Sequence, residues 1–256
     1  WILGIHRQYD VGLSVSLADL CGKIFRKHYV KDVIIPTDQN VTLASLASYH
    51  GGKTESYVDG PVVIRDIVEY DITSAYPYAM TRIGNFFDYD IERWHTEQPV
   101  LNNGVYQVST DCRYDYKPIY TEEFKRTRQL EKQWVTGWEL NSCFNHKCLS
   151  KIEIHEGYNM VSRNGKLNGL SQYVEEFFAL KQKADSEKNI TERLWAKLAL
   201  NSLYGKFISR IMDKTDHSEE WLGGVIFHPL IATLITGFVR AYVHDIEHSC
   251  SALQDR

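Results

Sequence analysis

The sequence has few cysteines, no overall positive charge and no long apolar run. Five cysteines scattered over 256 residues exclude the disulfide framework of a small secreted domain. The net charge of −4 gives no overall basic signature of a nucleic-acid binder. Residues 230–239 form the longest apolar stretch, which Thr and Gly interrupt and which is too short to span a bilayer. These features predict one large or two small globular domains without membrane contact.

Positive charge is nevertheless concentrated in one part of the chain. Residues 163–214 contain ten Lys and Arg but only six Asp and Glu, so the rest of the chain carries the negative excess. A surface that binds phosphate groups requires such a concentration of positive charge. A helical hairpin with solvated charges would show the same pattern.

Within this basic part, residues 197–207 read K-L-A-L-N-S-L-Y-G-K-F. As a helix, this segment places Lys197, Asn201 and Tyr204 on one face, and Gly205 is expected to end it. A cation can hold phosphate charge and an aromatic ring can stack on a base. The face would therefore suit a nucleoside triphosphate, although its spacing is equally typical of an ordinary amphipathic helix.

A second stretch, residues 69–77, reads E-Y-D-I-T-S-A-Y-P after a β-rich run at 62–68. The pattern predicts a strand that ends near Asp71, a turn, and a short helix opened by Pro77. A carboxylate in this position can hold a hard divalent cation. The backbone N–H groups of the turn could bind phosphate oxygens.

Together the two stretches resemble motifs A and B of the family B DNA polymerases. The family patterns are D-x-x-S-L-Y-P and K-x-x-x-N-S-x-Y-G, and here they stand as D-I-T-S-A-Y-P and K-L-A-L-N-S-L-Y-G. The only departure is Ala75, where the family usually has Leu. Residues 49–52, Y-H-G-G, resemble the family's Y-x-G-G motif, which precedes motif A. All three motifs occur in the order typical of the family.

The resemblance implies an α+β fold, with a polymerase palm of antiparallel sheet and helices and a two-helix fingers hairpin. It divides the chain into the end of an exonuclease module with its linker (1–60), a palm with an insertion (61–165), fingers (166–207) and a continuation of the palm (208–256). Asp71 and Lys197 are 126 positions apart, which leaves room for the insertion of the protein-primed members. We therefore expect the protein-primed subfamily of phages, adenoviruses and linear plasmids, working inside the cell.

The resemblance also implies roles for the residues of motif A. Asp71 would bind both catalytic ions, Mg²⁺ or Mn²⁺, and the backbone carbonyl of Ile72 would complete the coordination of one. Tyr76 would pack under the incoming sugar and clash with a 2′-hydroxyl. The expected partners are primer-template DNA, a dNTP and a terminal protein that serves as primer.

The remaining predicted site residues lie in the fingers and around the three motifs. Lys197 and Lys181 would bind the triphosphate, with Lys183 as the alternative to Lys181. Residues expected at the nascent base pair are Asn201 and Tyr204. Residues expected against the primer or template backbone are Tyr49, Gly51, Gly52, Ser74, Ser202 and Gly205.

Motif C of the family, a hairpin with the pattern D-T-D, does not occur in the sequence. It should start about where the sequence stops at Arg256, and the sequence begins with Trp1 in place of Met. We therefore expect a piece of a longer protein, inactive by itself unless another chain supplies the second carboxylate. A non-catalytic module that binds nucleic acid or a partner protein is the alternative function.

Three other groups of residues could carry chemistry of their own. Asp88 and Asp90 form a D-x-D pattern, which could belong to a sugar-nucleotide transferase but is better interpreted as a strand edge. Cys143, His146 and Cys148 are close together but lack a fourth zinc ligand, so reduced thiols are expected. His244, Asp245, Glu247 and His248 are interpreted as a solvated helix end.

Hydrophobic periodicity predicts the other elements. It favours helices at 11–28, 168–187 and 229–250, strands at 104–110 and 151–160, and a hairpin at 208–227 with its turn at 213–216. The apolar segment 134–140 is predicted to lie in the core.

Overall fold

Eight helices and six strands make up the described part of the chain. The computed structural model describes residues 2–30, 38–53, 71–83, 88–113, 118–119, 128–163, 169–212, 221–224 and 226–249. The helices are α1 (Ile2–Gln8), α2 (Leu17–His28), α3 (Gln39–Ser48), α4 (Ala75–Arg82), α5 (Gly137–Asn145), α6 (Gly169–Ser186), α7 (Ile190–Lys206) and α8 (Pro229–Ser249). The strands are β1 (Tyr89–Arg93), β2 (Gly104–Cys112), β3 (Gln129–Thr136), β4 (Leu149–Ser162), β5 (Arg210–Met212) and β6 (Trp221–Gly223).

The first four strands form an antiparallel sheet in the order β1-β4-β2-β3. β4 is 14 residues long and pairs with β2 along most of its length and with β1 near its end. Every second residue of β2 from Tyr106 to Cys112 is buried, as expected for a strand with one face in a core. The strands predicted at 104–110 and 151–160 are confirmed, and the sheet falls between Asp71 and Lys197, where the insertion is predicted.

Helices α6 and α7 form the antiparallel hairpin that the sequence predicts at 168–187 and beyond. The Tyr173 hydroxyl of α6 donates to the Ala199 carbonyl of α7 over 3.0 Å. Nearer the hairpin tip, Arg193 of α7 forms an ion pair with Asp185 of α6. The buried side of α7 consists of Trp195, Ala196, Ala199, Leu200 and Leu203, so its opposite side, with Lys197, faces solvent.

One large core joins the hairpin to helices from both ends of the chain. Phe25 of α2 is fully buried, and its ring lies 5.9 Å from that of Phe207 and 5.6 Å from that of Tyr173, edge to face in both cases. Burial of an aromatic side chain of this size contributes about 1.5–3 kcal/mol. Although residues 1–60 are predicted to be a separate module end and linker, α2 within them packs into the same core as α6 and α7.

Three predicted helix bounds are wrong for local reasons. The helix predicted at 11–28 begins only at Leu17, because Ser16 caps it by accepting the Asp19 amide at 3.1 Å. Gly205 does not end its helix, since α7 continues to Lys206. The motif A helix begins at Ala75, and Pro77 fits its first turn because amides there have no partner within the helix.

Other predicted elements fall wholly or partly outside the described residues. The strand at 62–68 and the turn at 213–216 are among them, although β5 and β6 pair as the two arms of the predicted hairpin. Core helix α8 is confirmed, and Ile231, Leu234, Ile235 and Phe238 are buried in it. The four described cysteines are free thiols. None of the described helices combines the length and apolar character needed to cross a bilayer.

Candidate functional site

The site is built around two tyrosines from distant parts of the chain. The rings of Tyr76 on α4 and Tyr204 on α7 stack face to face, with centroids 4.0 Å apart and planes 5° from parallel. This contact joins the stretches that resemble motifs A and B. Burial, and then the neighbouring Tyr76, raises the pKa of Tyr204 to about 12. The Tyr204 phenol therefore keeps its proton at neutral pH and can donate a hydrogen bond.

Gly52 brings the third motif to the same place. A Cβ atom at Gly52 would lie 2.8 Å from the Tyr76 hydroxyl oxygen, so any side chain there would displace the tyrosine. Because Tyr204 covers one face of the Tyr76 ring, that displacement would also disturb the stack. Tyr49 lies nearby, and its pKa is raised by burial and then by Tyr76. All three motifs thus meet around Tyr76.

The turn that leads into α4 has an unusual backbone. Ser74 adopts φ 59° and ψ 39°, in the left-handed region that residues other than Gly, Asn and Asp seldom occupy. Ser74 is one of five described residues other than glycine with a positive φ, and backbone of this kind clusters at functional sites. Asp71, three residues earlier, is exposed, and Ile72 is partly exposed. The turn therefore presents a carboxylate and the first amides of α4 close to one another in sequence and at the surface.

No ion pair with an acidic side chain is found for Lys181 or Lys197 among the described residues. Lys197 is exposed, and Lys181 is partly buried with its ammonium group 5.7 Å from the centroid of the Phe178 ring. Both lie on the hairpin between the contacts of Tyr173 and Arg193, so they belong to the same stretch of it. Lys183, in contrast, approaches Glu187 to 3.9 Å. This difference favours Lys181 over Lys183 as the second phosphate ligand.

A buried arginine that the sequence analysis missed holds the Y-x-G-G segment in place. Arg240 of α8 is fully buried and donates from Nη1 to the carbonyls of His50 and Gly51 over 2.6 and 2.9 Å. Its Nε donates to the Glu139 carboxylate over 2.8 Å. Glu139 also accepts the Thr136 amide in the capping box of α5. The connector beside Tyr76 is therefore fastened to α8 and, through Glu139, to α5.

Comparisons with known proteins place the chain in a family. Residues 5–220 match the family model described as DNA polymerase type B, organellar and viral. The chain belongs to this family of DNA polymerases. It is 24% identical over 238 residues to the DNA polymerase of Acidianus bottle-shaped virus (isolate Italy/Pozzuoli), covering 87% of this chain and 34% of that protein. It is 22% identical over 181 residues to the DNA-directed DNA polymerase of Enterobacteria phage PRD1, covering 68% of this chain and 29% of that protein.

Solved structures confirm the α+β fold expected of a family B polymerase. Phi29 DNA polymerase complexed with primer-template DNA and incoming nucleotide substrates aligns over 97% of this chain and 48% of its own, with a TM-score of 0.67 and 17% identity. Phi29 DNA polymerase complexed with single-stranded DNA aligns over 98% and 47%, with a TM-score of 0.65 and 16% identity. The chain spans about a third of the viral relatives and about half of the phi29 polymerase.

Polymerases of this family use divalent metal ions, so the fit of the described residues to such ions matters. Asp71 offers one exposed carboxylate with the hard oxygen donors that Mg²⁺ and Mn²⁺ prefer. Two groups of three His, Cys or Asp residues in the described part of the chain have donor atoms within 4.8 Å of one another. Asp71 belongs to neither group. One carboxylate in the turn before α4 is therefore available to such an ion.

The D-x-D carboxylates of this polymerase chain are engaged elsewhere. Arg163 donates from Nε to Asp90 over 2.8 Å and approaches Asp88 to 3.7 Å. The hydrogen bond from Arg163 holds the pKa of Asp90 below its usual range. Asp90 lies on β1, at an edge of the sheet, as the strand-edge interpretation predicts. Both carboxylates are paired with a cation, which argues against a sugar-nucleotide transferase.

The remaining predicted residues lie on or beside the two helices of the site. Asn201 is exposed on α7, one turn from Lys197 on the same side, and Ser202 is partly buried. Gly205 lies inside α7, where a Cβ would meet nothing within 4 Å. Space at Gly205 is therefore open, as close approach of another backbone would require.

Proposed function

We propose that this chain carries the nucleotide-selecting part of a DNA-directed DNA polymerase, which adds deoxynucleotides to a primer 3′-hydroxyl or a protein hydroxyl. The observation that carries the proposal is the contact of Tyr76 with Tyr204 and Gly52. This contact unites three motifs that are far apart in sequence but share one activity in the family. An ordinary amphipathic helix would not explain why all three meet at one ring.

Tyr76 acts as the group that selects the sugar. Its ring is held by the Tyr204 stack on one face and by the Gly52 backbone beside its hydroxyl. A ring held from two sides cannot move aside for an additional 2′-hydroxyl. The Tyr76 ring already has this position in the free protein, so no free energy is spent on fixing it when the substrate binds. Discrimination between the two sugars is therefore present before binding.

Lys181 and Lys197 act on the triphosphate. Both ammonium groups lack an acidic partner among the described residues, so no ion pair has to break before they bind phosphate. Asn201, one turn from Lys197 along the same side of α7, would line the nascent base pair together with Tyr204. Ser74, Ser202, Gly205 and the Y-x-G-G residues Tyr49, Gly51 and Gly52 would contact the primer or template backbone.

Asp71 and the carbonyl of Ile72 would hold the divalent ions. When bound, Mg²⁺ or Mn²⁺ neutralises phosphate charge and lowers the pKa of the attacking hydroxyl. Asp71 would hold such an ion beside the N-terminus of α4, whose first-turn amides have no partner within the helix. A second carboxylate, which the family takes from its D-T-D motif, would complete the centre.

The partners follow from the relatives. Phi29 polymerase structures contain primer-template DNA and incoming nucleotides, and we propose the same two partners for this chain. The phage-type relatives and the long separation between Asp71 and Lys197 support a terminal protein as primer. The sheet β1–β4, which occupies that separation, is our choice for the contact with the terminal protein.

Substitution of Lys197 tests the proposal. Lys197→Ala should weaken dNTP binding about 10- to 100-fold, since a charge-assisted bond contributes about 1.5–3 kcal/mol, while primer-template binding changes little. Lys183→Ala is the matched control, because that lysine lies on the same hairpin but is paired with Glu187. The measurement is equilibrium titration of a fluorescent dNTP and a labelled primer-template. Equal losses of dNTP and DNA binding in Lys197→Ala would overturn the assignment.

Primer extension separates the polymerase from a non-catalytic binding module. The 256-residue chain and the same chain continued in its own reading frame are each assayed with magnesium and with manganese. Extension by the longer chain is expected. DNA binding without extension in both would favour the binding module.

A further inference from the structure

Two pairs of metal-binding side chains meet in the fold, although neither pair has enough ligands to form a site by itself. His146 and Cys148 lie where α5 turns into β4, and His244 and His248 lie near the end of α8. One donor atom from each of Cys148, His244 and His248 lies within 4.8 Å of the other two. His244 is fully buried, so the interpretation of this segment as a solvated helix end is wrong for that residue.

Hydrogen bonds set the orientation of His244. The Ser142 hydroxyl donates to the Asp245 carboxylate over 2.5 Å, so its oxygen accepts from His244 Nδ1 at 2.8 Å. The proton of the imidazole is therefore on Nδ1, and Nε2 carries the lone pair. Nε2 points at Cys148 Sγ, 3.4 Å away. A histidine whose other nitrogen is held in this way is the usual form of a metal ligand.

The distance between these two donors matches a shared metal ion. With Zn–S near 2.3 Å and Zn–N near 2.05 Å in a tetrahedral site, the sulfur and nitrogen are about 3.5 Å apart. The His248 ring centroid lies 4.2 Å from that of His244, and a bond between His248 Nδ1 and the His244 carbonyl at 3.1 Å orients it. The His146 ring lies 4.5 Å from the His248 ring.

His146 lies beside these three residues, in a second group with His244 and Asp245. Its Nε2 lies 2.9 Å from the Asp245 carboxylate, which also accepts the Ser142 hydroxyl. Lys53, the cation near this cluster, is neutralised by its ion pair with Glu247.

We propose that Cys148, His244 and His248 bind a zinc ion, with a water molecule as the fourth ligand, and that this ion fastens the end of α8 to the turn between α5 and β4. One thiolate and two imidazoles are donors that zinc prefers, and hard ions such as Mg²⁺ prefer oxygen. The zinc site is distinct from the metal site predicted at Asp71. Because Cys148 and His244 are buried and the ion joins two elements, it stabilises this part of the fold, with Ser142 and Asp245 orienting His244.

Cobalt substitution tests the site, because tetrahedral Co²⁺ bound to a thiolate gives a charge-transfer band and strong visible absorption. Chelator-treated protein is titrated with Co²⁺ and then with Zn²⁺. One equivalent of Co²⁺ should bind, with both spectral features, and Zn²⁺ should displace it. Zn²⁺ should also raise the melting temperature of the chelator-treated protein.

Variants assign the ligands. Cys148→Ser should abolish the thiolate band, and His248→Gln, at a partly exposed position that tolerates the change, should weaken Co²⁺ binding at least tenfold. Cys112→Ser is the matched control, since Cys112 is a buried cysteine of the same small core, and it should bind normally. Asp71→Ala should bind normally as well, because it belongs to the other metal site. Failure of the wild-type protein to bind Co²⁺ at micromolar concentration would overturn the proposal, as would a band that survives Cys148→Ser.

Discussion

Removal of the Arg240 guanidinium should destabilise the protein more than a typical core substitution. Arg240 and Glu139 are 0% and 1% exposed at their side chains and 2.8 Å apart. In Arg240→Met the apolar stem is kept, but the Glu139 carboxylate loses its cation and the carbonyls of His50 and Gly51 lose their donor. Breaking a buried ion pair in this way costs about 3–5 kcal/mol. For a chain of this size, that lowers the melting temperature by about 6–20 °C.

The second partner of the pair provides the decisive comparison. Glu139→Gln keeps an oxygen for the capping box of α5 but removes the charge, so the double variant Arg240→Met/Glu139→Gln has no stranded carboxylate. It should be more stable than Arg240→Met alone, with a coupling free energy of at least about 1 kcal/mol. Urea unfolding followed by tryptophan fluorescence measures this. Arg163→Met, at an exposed ion pair, is the control and should change stability little. Additive losses in the double variant would refute the reasoning.

Three further outcomes are expected. Tyr76→Val, in a chain that extends primers, should admit ribonucleotides, and unchanged discrimination in paired dNTP and rNTP incorporation assays would contradict the role of Tyr76. Gly52→Ala should relax the same discrimination, because a Cβ there displaces the Tyr76 hydroxyl; the same assays check it. Burial lowers the pKa of His228 from 6.5 to about 4. Below pH 6.5 the histidine of the unfolded chain is therefore protonated before that of the folded chain, and the free energy of unfolding falls. The loss reaches up to about 3 kcal/mol as the pH drops through 4. His228→Gln should flatten this acid limb in urea unfolding at successive pH values, and an unchanged limb would show that His228 is not its cause.

Elements with a clear period could be predicted from the sequence, whereas contacts between elements could not. Helices α6, α7 and α8 lie within two residues of their predicted bounds, because apolar spacing identifies one buried side of each helix. Spacing does not say which element meets that side. The pairing of Glu139 with Arg240, 101 positions apart, therefore left no local signal in a single sequence.

For the candidate site, too, the sequence predicts the residues but not the contacts between them. Tyr76, Tyr204 and Gly52 were identified because their motifs are specific, and only the structure brings them into contact. The sequence offers only Cys143, His146 and Cys148 together and so predicts reduced thiols, because the histidines that meet Cys148 lie about 100 positions away on α8. Gly205 was misread as a helix end because glycine favours that position on average, while the buried Phe207 beyond it keeps α7 packed to Lys206.

Helix α8 contacts each of these distant sites. It is apolar on nearly all sides, which is typical of a helix inside a core. Along its length it contacts the connector through Arg240, the motif A helix through Phe238, whose ring lies 5.6 Å from that of Tyr78, and the α5 turn through His244. A tilt of α8 would therefore move Gly52 and α4 relative to each other, which alters the space around Tyr76. Loss of metal at the end of α8 should then relax sugar discrimination less than Gly52→Ala does, because it acts on Tyr76 only through the helix.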